Sequence, residues 1–534
     1  MTSFTQHRPT TLAARGLVAA PHYLAAEAGL DMLKAGGNAV DAAIAANAVL
    51  QVVYPNLCGL GGDLFLVLYD ARSERVYGLN SSGRSAKTAT IERYRELGLT
   101  EMPPFGIYTV TVPGCAAGWG AASERFGRLG LARSLAAAIS YAEDGFPVGP
   151  QLHAGLVRMD TMPHTHASFR EHFMPGGVIP PAGSLARAPA LARTLRILAL
   201  RGAQDFYRGE LAEHIAAFLQ REGGLLTLDD LAAHTADWVE PLSVPFAGVD
   251  VYELPPNTQG VTALQMLGMT DGLPLGDSPV SPETIHVEVE AKKVAWADRA
   301  AYLTDPAAMR VAPEALIAAD YLAERRRLID TRHAGATIAP GTFTGDTIYL
   351  CAADADGTVV SLIQSNYRGF GSGLVVEGTG ISLHNRGAYF SLDPTAANAL
   401  GPAKRTLHTI IPSLAMRDGR PAMVFGAMGG DGQPQTHVQV YTDVLRYGLN
   451  IQAAIEVPRW IHGVETPGEP ETLRIEDRVP AATVERLRAL GHRVETVGPW
   501  DSIMGHANGI VVDQASGVYA GGSDPRSEGA AAGW

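Results

Sequence analysis

The sequence predicts a layered α/β protein in which antiparallel strands are covered by helices. Three observations lead there. An alanine-rich helical stretch, from about Asn38 to Val53, is followed by two strand-like runs, DLFLVLYD and RVYGLN, separated by a polar turn. A second pair, in DTIYLCAADADGTVVSLIQS, is joined by Asp356 and Gly357, a dipeptide suited to a tight hairpin. Beyond it, strand-like runs (MVFGAM, NGIVVD, VYAGG) alternate with helical ones (QTHVQVYTDVLRYG, AATVERLRALG).

Taken in order, the small residues of the first helix suit close packing on a sheet. The middle of the chain, about Arg187 to Leu231 and Pro282 to Leu328, reads as mostly helical. ALARTLRILAL, for example, repeats apolar residues at spacings of three and four. The character changes after Ala339, where PGTFTG is flexible and turn-rich and leads into the strand that Thr347 opens. The 59 glycines cluster at KAGGNAVDAA, NLCGLGGDLF, YRGFGSGLVVEGTG, GAMGGDGQPQ and YAGGSDPRSEGAAAGW, marking tight turns or close backbone approach. No internal repeat or low-complexity linker divides the chain, and nothing calls for a second independent domain.

With 534 residues, 46% hydrophobic and 18% charged, the chain can bury a large core. Its net charge of -13 argues against nucleic acid as a partner and means that an anionic substrate needs arginines placed locally. The basic run Arg325 to Arg327, with Glu324 and Asp330 nearby, reads as a solvated helix face. Cys58, Cys115 and Cys351 lie among apolar or small neighbours and read as buried thiols, with no metal-ligand spacing. His164 and His166, in the loop-like MPHTHASF, do not amount to a metal site. The first residues lack a basic start followed by an apolar run. The stretch Ala39 to Tyr54 is interrupted by Asp41, Asn47 and Gln51, so no membrane span is expected and the cytoplasm is the expected compartment.

Thr347, at the head of its strand, is by itself an ordinary strand opening. Its surroundings change that. GDTIYLCAADADGTVVSLIQS followed by FGSGLVVEGTGISLHN resembles the start of the small subunit of gamma-glutamyltranspeptidases. GGNAVDAAIAANAVLQVVYPNLCGLGGDLFLVLYD, TVPGCAAGW, ELPPNTQG, EAKKVAWADRAAYLTDP, GAMGGDGQPQ, EVPRW and GGSDPRSEGAAAGW correspond in the same order, from about Ala20 to Trp534. The resemblance implies an N-terminal-nucleophile hydrolase with a four-layer αββα fold and two antiparallel sheets. Residues 1–346, as a large subunit, and 347–534, as a small catalytic subunit, build that fold together and stay associated as a heterodimer. It implies no metal and no organic cofactor. It further implies that the Thr347 hydroxyl breaks the Asp346–Thr347 bond. The threonine oxygen then becomes the nucleophile and its new α-amine the base, a group whose ordinary pKa of ~7.7–8.0 suits that task near neutrality.

By the same resemblance, the backbone N–H groups of Gly429 and Gly430 hold the oxyanion, and Ser365 stands where the family has a second threonine that holds the nucleophile's hydroxyl. Thr409 and His408 fall on two family serines near the substrate. The chain departs from the family where a glutamyl group is gripped. The family's NNQMDDF is HNRGAYF here, so that Ala388 and Tyr389 replace two aspartates and Arg386 replaces the glutamine. Tyr367 stands for an asparagine, and Arg84 lies about two positions beyond the usual arginine. Losing the aspartate removes the partner of a cationic amine, while gaining Arg386, with Arg84 retained nearby, favours a carboxylate. The expected substrate is a small amide carrying a carboxylate. Gamma-glutamyl compounds such as glutathione are the family default, and oxamate or glutaryl-cephalosporin amides are alternatives. A non-catalytic binding homologue is the reading from another class, against which Thr347, Ser365, Gly429 and Gly430 are all present.

Overall fold

The computed structural model describes residues 6–335, 346–463 and 471–534. The turn-rich stretch 340–345 expected before Thr347 lies outside them. Two seven-stranded sheets, antiparallel throughout, dominate the molecule. One runs, in spatial order, Ala530–Gly533, Leu17–Ala20, Asp346–Ala353, Val359–Tyr367, Asp63–Asp70, Arg75–Ser81 and Asp237–Val239. The other runs Thr11–Ala13, Tyr519–Ser523, Ala507–Val512, Arg420–Ala427, Ser413–Arg417, Val249–Glu253 and Leu242–Phe246. Each sheet takes strands from both sides of the Asp346–Thr347 bond.

The period-2 alternation of strand side chains sorts residues into layers. Leu64, Leu66 and Leu68 join a core formed with helices, whereas Phe65, Val67 and Tyr69 join the core between the sheets with Tyr349, Ile363, Leu414, Val424 and Ile510. On the outer face of the first sheet, helix Ala39–Val53 is buried at every residue. Its N-terminus is closed by Asn38, whose side chain accepts the N–H groups of Val40 and Asp41 while Asp41 caps the Asn38 N–H in return. Helices Gly260–Thr270, Pro282–Tyr302, Gln433–Leu445 and Ile451–Glu456 cover the other sheet. The helix–sheet–sheet–helix order is therefore present in full.

Two local features differ from expectation. A small satellite sheet, Trp460–Gly463, Thr472–Glu476 and Val494–Val497, contains a parallel pair. Helix Ala481–Ala489 lies between the two parallel strands in sequence and supplies the crossover that such a pair requires. The run Arg325 to Arg327 is not simply a solvated face. Arg325 pairs with Asp298 at 2.8 Å and Arg326 donates to the carbonyls of Met269 and Gly268 at 2.9 and 2.6 Å, leaving only Arg327 exposed. Arg326 holds helix Ala319–Arg326 against the C-terminal end of helix Gly260–Thr270, where cations are favoured, and Arg325 ties it to helix Pro282–Tyr302. The three cysteines are buried and free. His164 stacks on Phe105 and His166 caps helix Ala167–Phe173. No helix among the described residues is long and apolar enough to cross a membrane.

Gly426, on Arg420–Ala427, faces the ring of Tyr349 across the inter-sheet layer, and a Cβ there comes within 2.4 Å of the ring. Gly426→Ala should cost about 1–3 kcal/mol by overpacking and lower the urea midpoint. An unchanged midpoint contradicts this account of sheet spacing.

Candidate active site

Strand Asp346–Ala353 lies between Leu17–Ala20 and Val359–Tyr367 in the first sheet. Its pairing with Val359–Tyr367 is regular from Ile348 onward and slips just before it. Asp346 pairs with Tyr367 and Ile348 with Gln364, so Ser365 and Asn366 stand together opposite Thr347. Such a bulge re-aims side chains locally. Here it brings the Thr347 Oγ1 hydroxyl to donate to Ser365 Oγ at 3.1 Å, both groups being buried. The chain then turns at Tyr367, which takes a φ of 79° and donates its N–H back to Ser365 Oγ at 2.8 Å. A left-handed tyrosine costs about 1–3 kcal/mol and persists only where its surroundings fix it. The neighbouring glycine cluster is explained by contact. A Cβ on Gly62 meets the Ser365 carbonyl at 2.5 Å, and one on Gly61 meets the Ser382 carbonyl at 2.3 Å.

Arg386 reaches the same point. Its guanidinium is 1% exposed, donates to Thr409 Oγ1 at 3.1 Å and Ser365 Oγ at 3.4 Å, and lies 4.2 Å from the centre of the Tyr367 ring. Among the described residues no carboxylate lies within ion-pair distance of it, and its Nε has no acceptor. Burial lowers its pKa to about 10, so it stays cationic at neutral pH. Tyr389 packs edge-on to Tyr367 at 5.7 Å and donates to Asp431 Oδ1 at 2.6 Å.

Among the described residues, His408 makes no hydrogen bond to Thr347 or Ser365. Its Nε2 bonds Asp63 Oδ2 at 3.0 Å and its ring meets Phe65 edge-on, so the imidazole is fixed behind Thr409. Burial, reinforced by the Arg386 charge, lowers its pKa to about 3, so the ring is neutral and its Nε2–H donates to the carboxylate. Asp63 pairs in register with Ser365 and also accepts the Gly83 N–H at 3.0 Å. Burial alone raises the pKa of that carboxyl. His384, the bond from His408 and the charge of Arg386 outweigh burial and hold it at about 2. Arg84 is elsewhere, half-exposed, with its guanidinium 3.4 Å from Asp305 and 4.0 Å from Asp237.

Gly429 and Gly430 sit at the end of Arg420–Ala427 with φ values of 137° and 53°. Behind them Gln259 donates to the carbonyls of Gly430 and Thr409 at 3.0 and 2.6 Å, and accepts from Arg299 Nη1 at 2.8 Å. Arg299 Nη2 contacts both Asp431 and Tyr389.

The structure thus gathers Thr347, Ser365, Tyr367, Arg386, Tyr389 and Thr409 through direct contacts, places His408 one layer behind, and commits Arg84 to other acids. Asp63, Gln259, Arg299 and Asp431 had been given no role from sequence. Asp63 and Asp431 each directly follow a Gly-Gly pair, which was the available signal. Among the described residues, one group has ligand atoms close enough to hold a metal. The ligand atoms of His286, Glu290 and His492 lie within 4.8 Å of one another. The two rings bond each other at 2.7 Å, and Glu290 receives Lys293 Nζ at 2.7 Å and the Gly335 N–H at 3.0 Å, so protein partners already occupy these groups. A cavity of about 490 Å³ lined by Val52, Leu60, Phe146, Leu152, Phe173 and Leu191 shares no lining residue with the Thr347 cluster.

Comparison with known proteins matches the family model described as Gamma-glutamyltranspeptidase over residues 25–534. The chain is 40% identical over 530 residues to the Glutathione hydrolase-like YwrD proenzyme of Bacillus subtilis, covering 98% of this chain and 99% of that protein. It is 40% identical over 533 residues to the Oxamate amidohydrolase proenzyme of Klebsiella pneumoniae, with the same shares covered. Among solved structures it resembles a cephalosporin acylase from Bacillus halodurans, at 41% identity and a TM-score of 0.93, covering 100% of this chain and 98% of that one.

Because the folded pKa of Asp63 lies below the ordinary carboxylate value of ~3.9, its ionised form stabilises the fold by about 2 kcal/mol. That contribution is complete above about pH 5 and is lost as pH falls through about 4 to 2. Asp63→Asn should therefore show a flatter fall of urea midpoint over that interval than the parent chain. Parallel curves contradict the assignment.

Proposed function

The chain belongs to the gamma-glutamyltranspeptidase family, and we propose that it is a self-processing amidohydrolase with Thr347 as nucleophile, acting on a small amide whose carboxylate lies close to the scissile carbonyl. Family members are proenzymes processed into two subunits. In the proposed cycle, Thr347 Oγ1 first attacks the carbonyl of Asp346 and the peptide C–N bond breaks, which leaves an ester and a free Thr347 α-amine; water then hydrolyses the ester, releasing the Asp346 carboxylate and restoring the Thr347 hydroxyl. The mature Thr347 then adds to the substrate carbonyl while its α-amine takes the hydroxyl proton. The Gly429 and Gly430 N–H groups receive the oxyanion. Collapse breaks the C–N bond, the amine leaves with the proton, and water releases the acid from acyl-Thr347.

The observation that carries the substrate class is the position of Arg386. Ser365 Oγ is bonded on one side by the Thr347 hydroxyl at 3.1 Å and approached on the other by Arg386 Nη2 at 3.4 Å. The guanidinium therefore lies within two hydrogen-bond lengths of the nucleophile. A carboxylate held there sits next to the carbonyl under attack or one carbon away. A gamma-glutamyl or glutaryl group puts three carbons between its carboxylate and the scissile carbonyl, and Tyr367 and Tyr389 occupy the positions aligned with the family's amine-binding side chains. Monoamides of short dicarboxylic acids, of which oxamate is the shortest, fit this spacing. The 40% identity to an oxamate amidohydrolase proenzyme supports the same class.

The test is a series of monoamides of increasing length assayed side by side: oxamate, malonamate, succinamate, glutaramate and a gamma-glutamyl amide. The expected result is a kcat/KM that falls with chain length. Turnover of the gamma-glutamyl amide alone contradicts the assignment. In the same series, Arg386→Met should lower kcat/KM for the best acid by at least about 100-fold, the loss of about 3 kcal/mol of charge-assisted hydrogen bonding. Oxamide, which has no carboxylate, should be little affected.

A further inference from the structure

We propose that Arg299 and Gln259 act as positioning residues that hold the Gly429–Gly430 turn in its oxyanion-binding shape. This rests on the reading of Thr347 as nucleophile and goes beyond it to groups behind the site. The turn gains nothing from its own side chains. Both glycines have positive φ, and among the described residues neither N–H donates to a protein carbonyl or side chain. Free N–H groups are what an oxyanion site requires, but they leave the peptide planes without a local reason to face one way.

Gln259 supplies that reason. It is the N-cap residue of helix Gly260–Thr270 and is 0% exposed. Its Nε2 holds the Gly430 carbonyl at 3.0 Å and the Thr409 carbonyl at 2.6 Å, so one amide links the turn to the residue beside Arg386. A side-chain amide can rotate and exchange its oxygen and nitrogen. The Nη1 of Arg299 fixes it, because only Gln259 Oε1 can accept that hydrogen bond, at 2.8 Å. The other arm of the same guanidinium contacts Asp431, the residue after Gly430, and the Tyr389 hydroxyl. A single buried cation, rooted in the last turn of helix Pro282–Tyr302, therefore grips the turn on both flanks. The planar two-armed geometry is specific to arginine, and a lysine can reach only one side.

The consequence is kinetic. Carboxylate binding belongs to Arg386, which neither Gln259 nor Arg299 contacts, whereas the glycine N–H groups act most strongly when charge develops on the substrate oxygen. Loosening the clamp should lower kcat and leave KM nearly unchanged. Removing an oxyanion donor outright typically costs about 10²–10³ in kcat, and misaligning one costs less. The experiment measures kcat and KM for Gln259→Met and Arg299→Lys on the best monoamide, with thermal unfolding and subunit mass to verify folded, processed protein. The expected result is a fall in kcat of about 10- to 100-fold with KM within about twofold, smaller for Arg299→Lys than for Gln259→Met. Unchanged kcat, or a loss carried by KM, overturns the proposal. If Gln259→Met does not fold, the isosteric Asp431→Asn decides by the same criteria. Failure of the nucleophile reading is distinct, because it appears in the parent protein as an absence of processing or turnover.

Discussion

The hydrogen bond from the Thr347 hydroxyl to Ser365 Oγ, 3.1 Å long and made across a bulge between two central strands, is the point on which the other features of the site converge. Ser365 is held by the Tyr367 N–H, by Arg386 and by register with Asp63. Those constraints in turn explain the glycine at 62, which admits the Ser365 backbone, and the left-handed Tyr367, which returns the chain toward Ser365. A regular ladder would face Thr347 with a single residue and would not place Ser365 Oγ where it can accept that proton. The two stacked seven-stranded sheets provide the rigidity that makes so local a slip reproducible.

Electrostatics follow from the same geometry. A net charge of -13 works against anionic ligands at long range, so attraction must be local. Burying Arg386 without a direct carboxylate partner is costly, and the nearby charge of ionised Asp63 offsets part of that cost without neutralising the guanidinium. The result is a buried cation with no direct carboxylate partner among the described residues. Ala388 and Tyr389 stand where the resemblance places two family aspartates, so neither position supplies it with a carboxylate. Tyr389 instead joins Asp431 and Arg299 in the frame around the glycine turn.

Much of this was legible in the sequence, and the limits have physical causes. The helix at Ala39–Val53, the strand pair Asp63–Asp70 and Arg75–Ser81 that follows it and the hairpin at Asp356 and Gly357 follow from periodicity and turn chemistry, which act over a few residues. Arg386 was conspicuous because it replaces a neutral side chain within a matched motif. Its proximity to Ser365, 21 residues away, was not, since that depends on the turn at Tyr367. Arg84 was expected at the substrate on alignment alone, and its carboxylate partners lie more than 150 residues further along the chain. Gln259 and Arg299 act through contacts spanning 40 to 171 residues, and no local pattern marks such side chains.

The central claim is that Thr347 is the working nucleophile, and an intact-mass spectrum of the purified protein with N-terminal sequencing of its fragments tests it most directly. The account predicts two associated fragments, the smaller beginning at Thr347. A single uncleaved chain after prolonged incubation, or a new N-terminus at another residue, contradicts it.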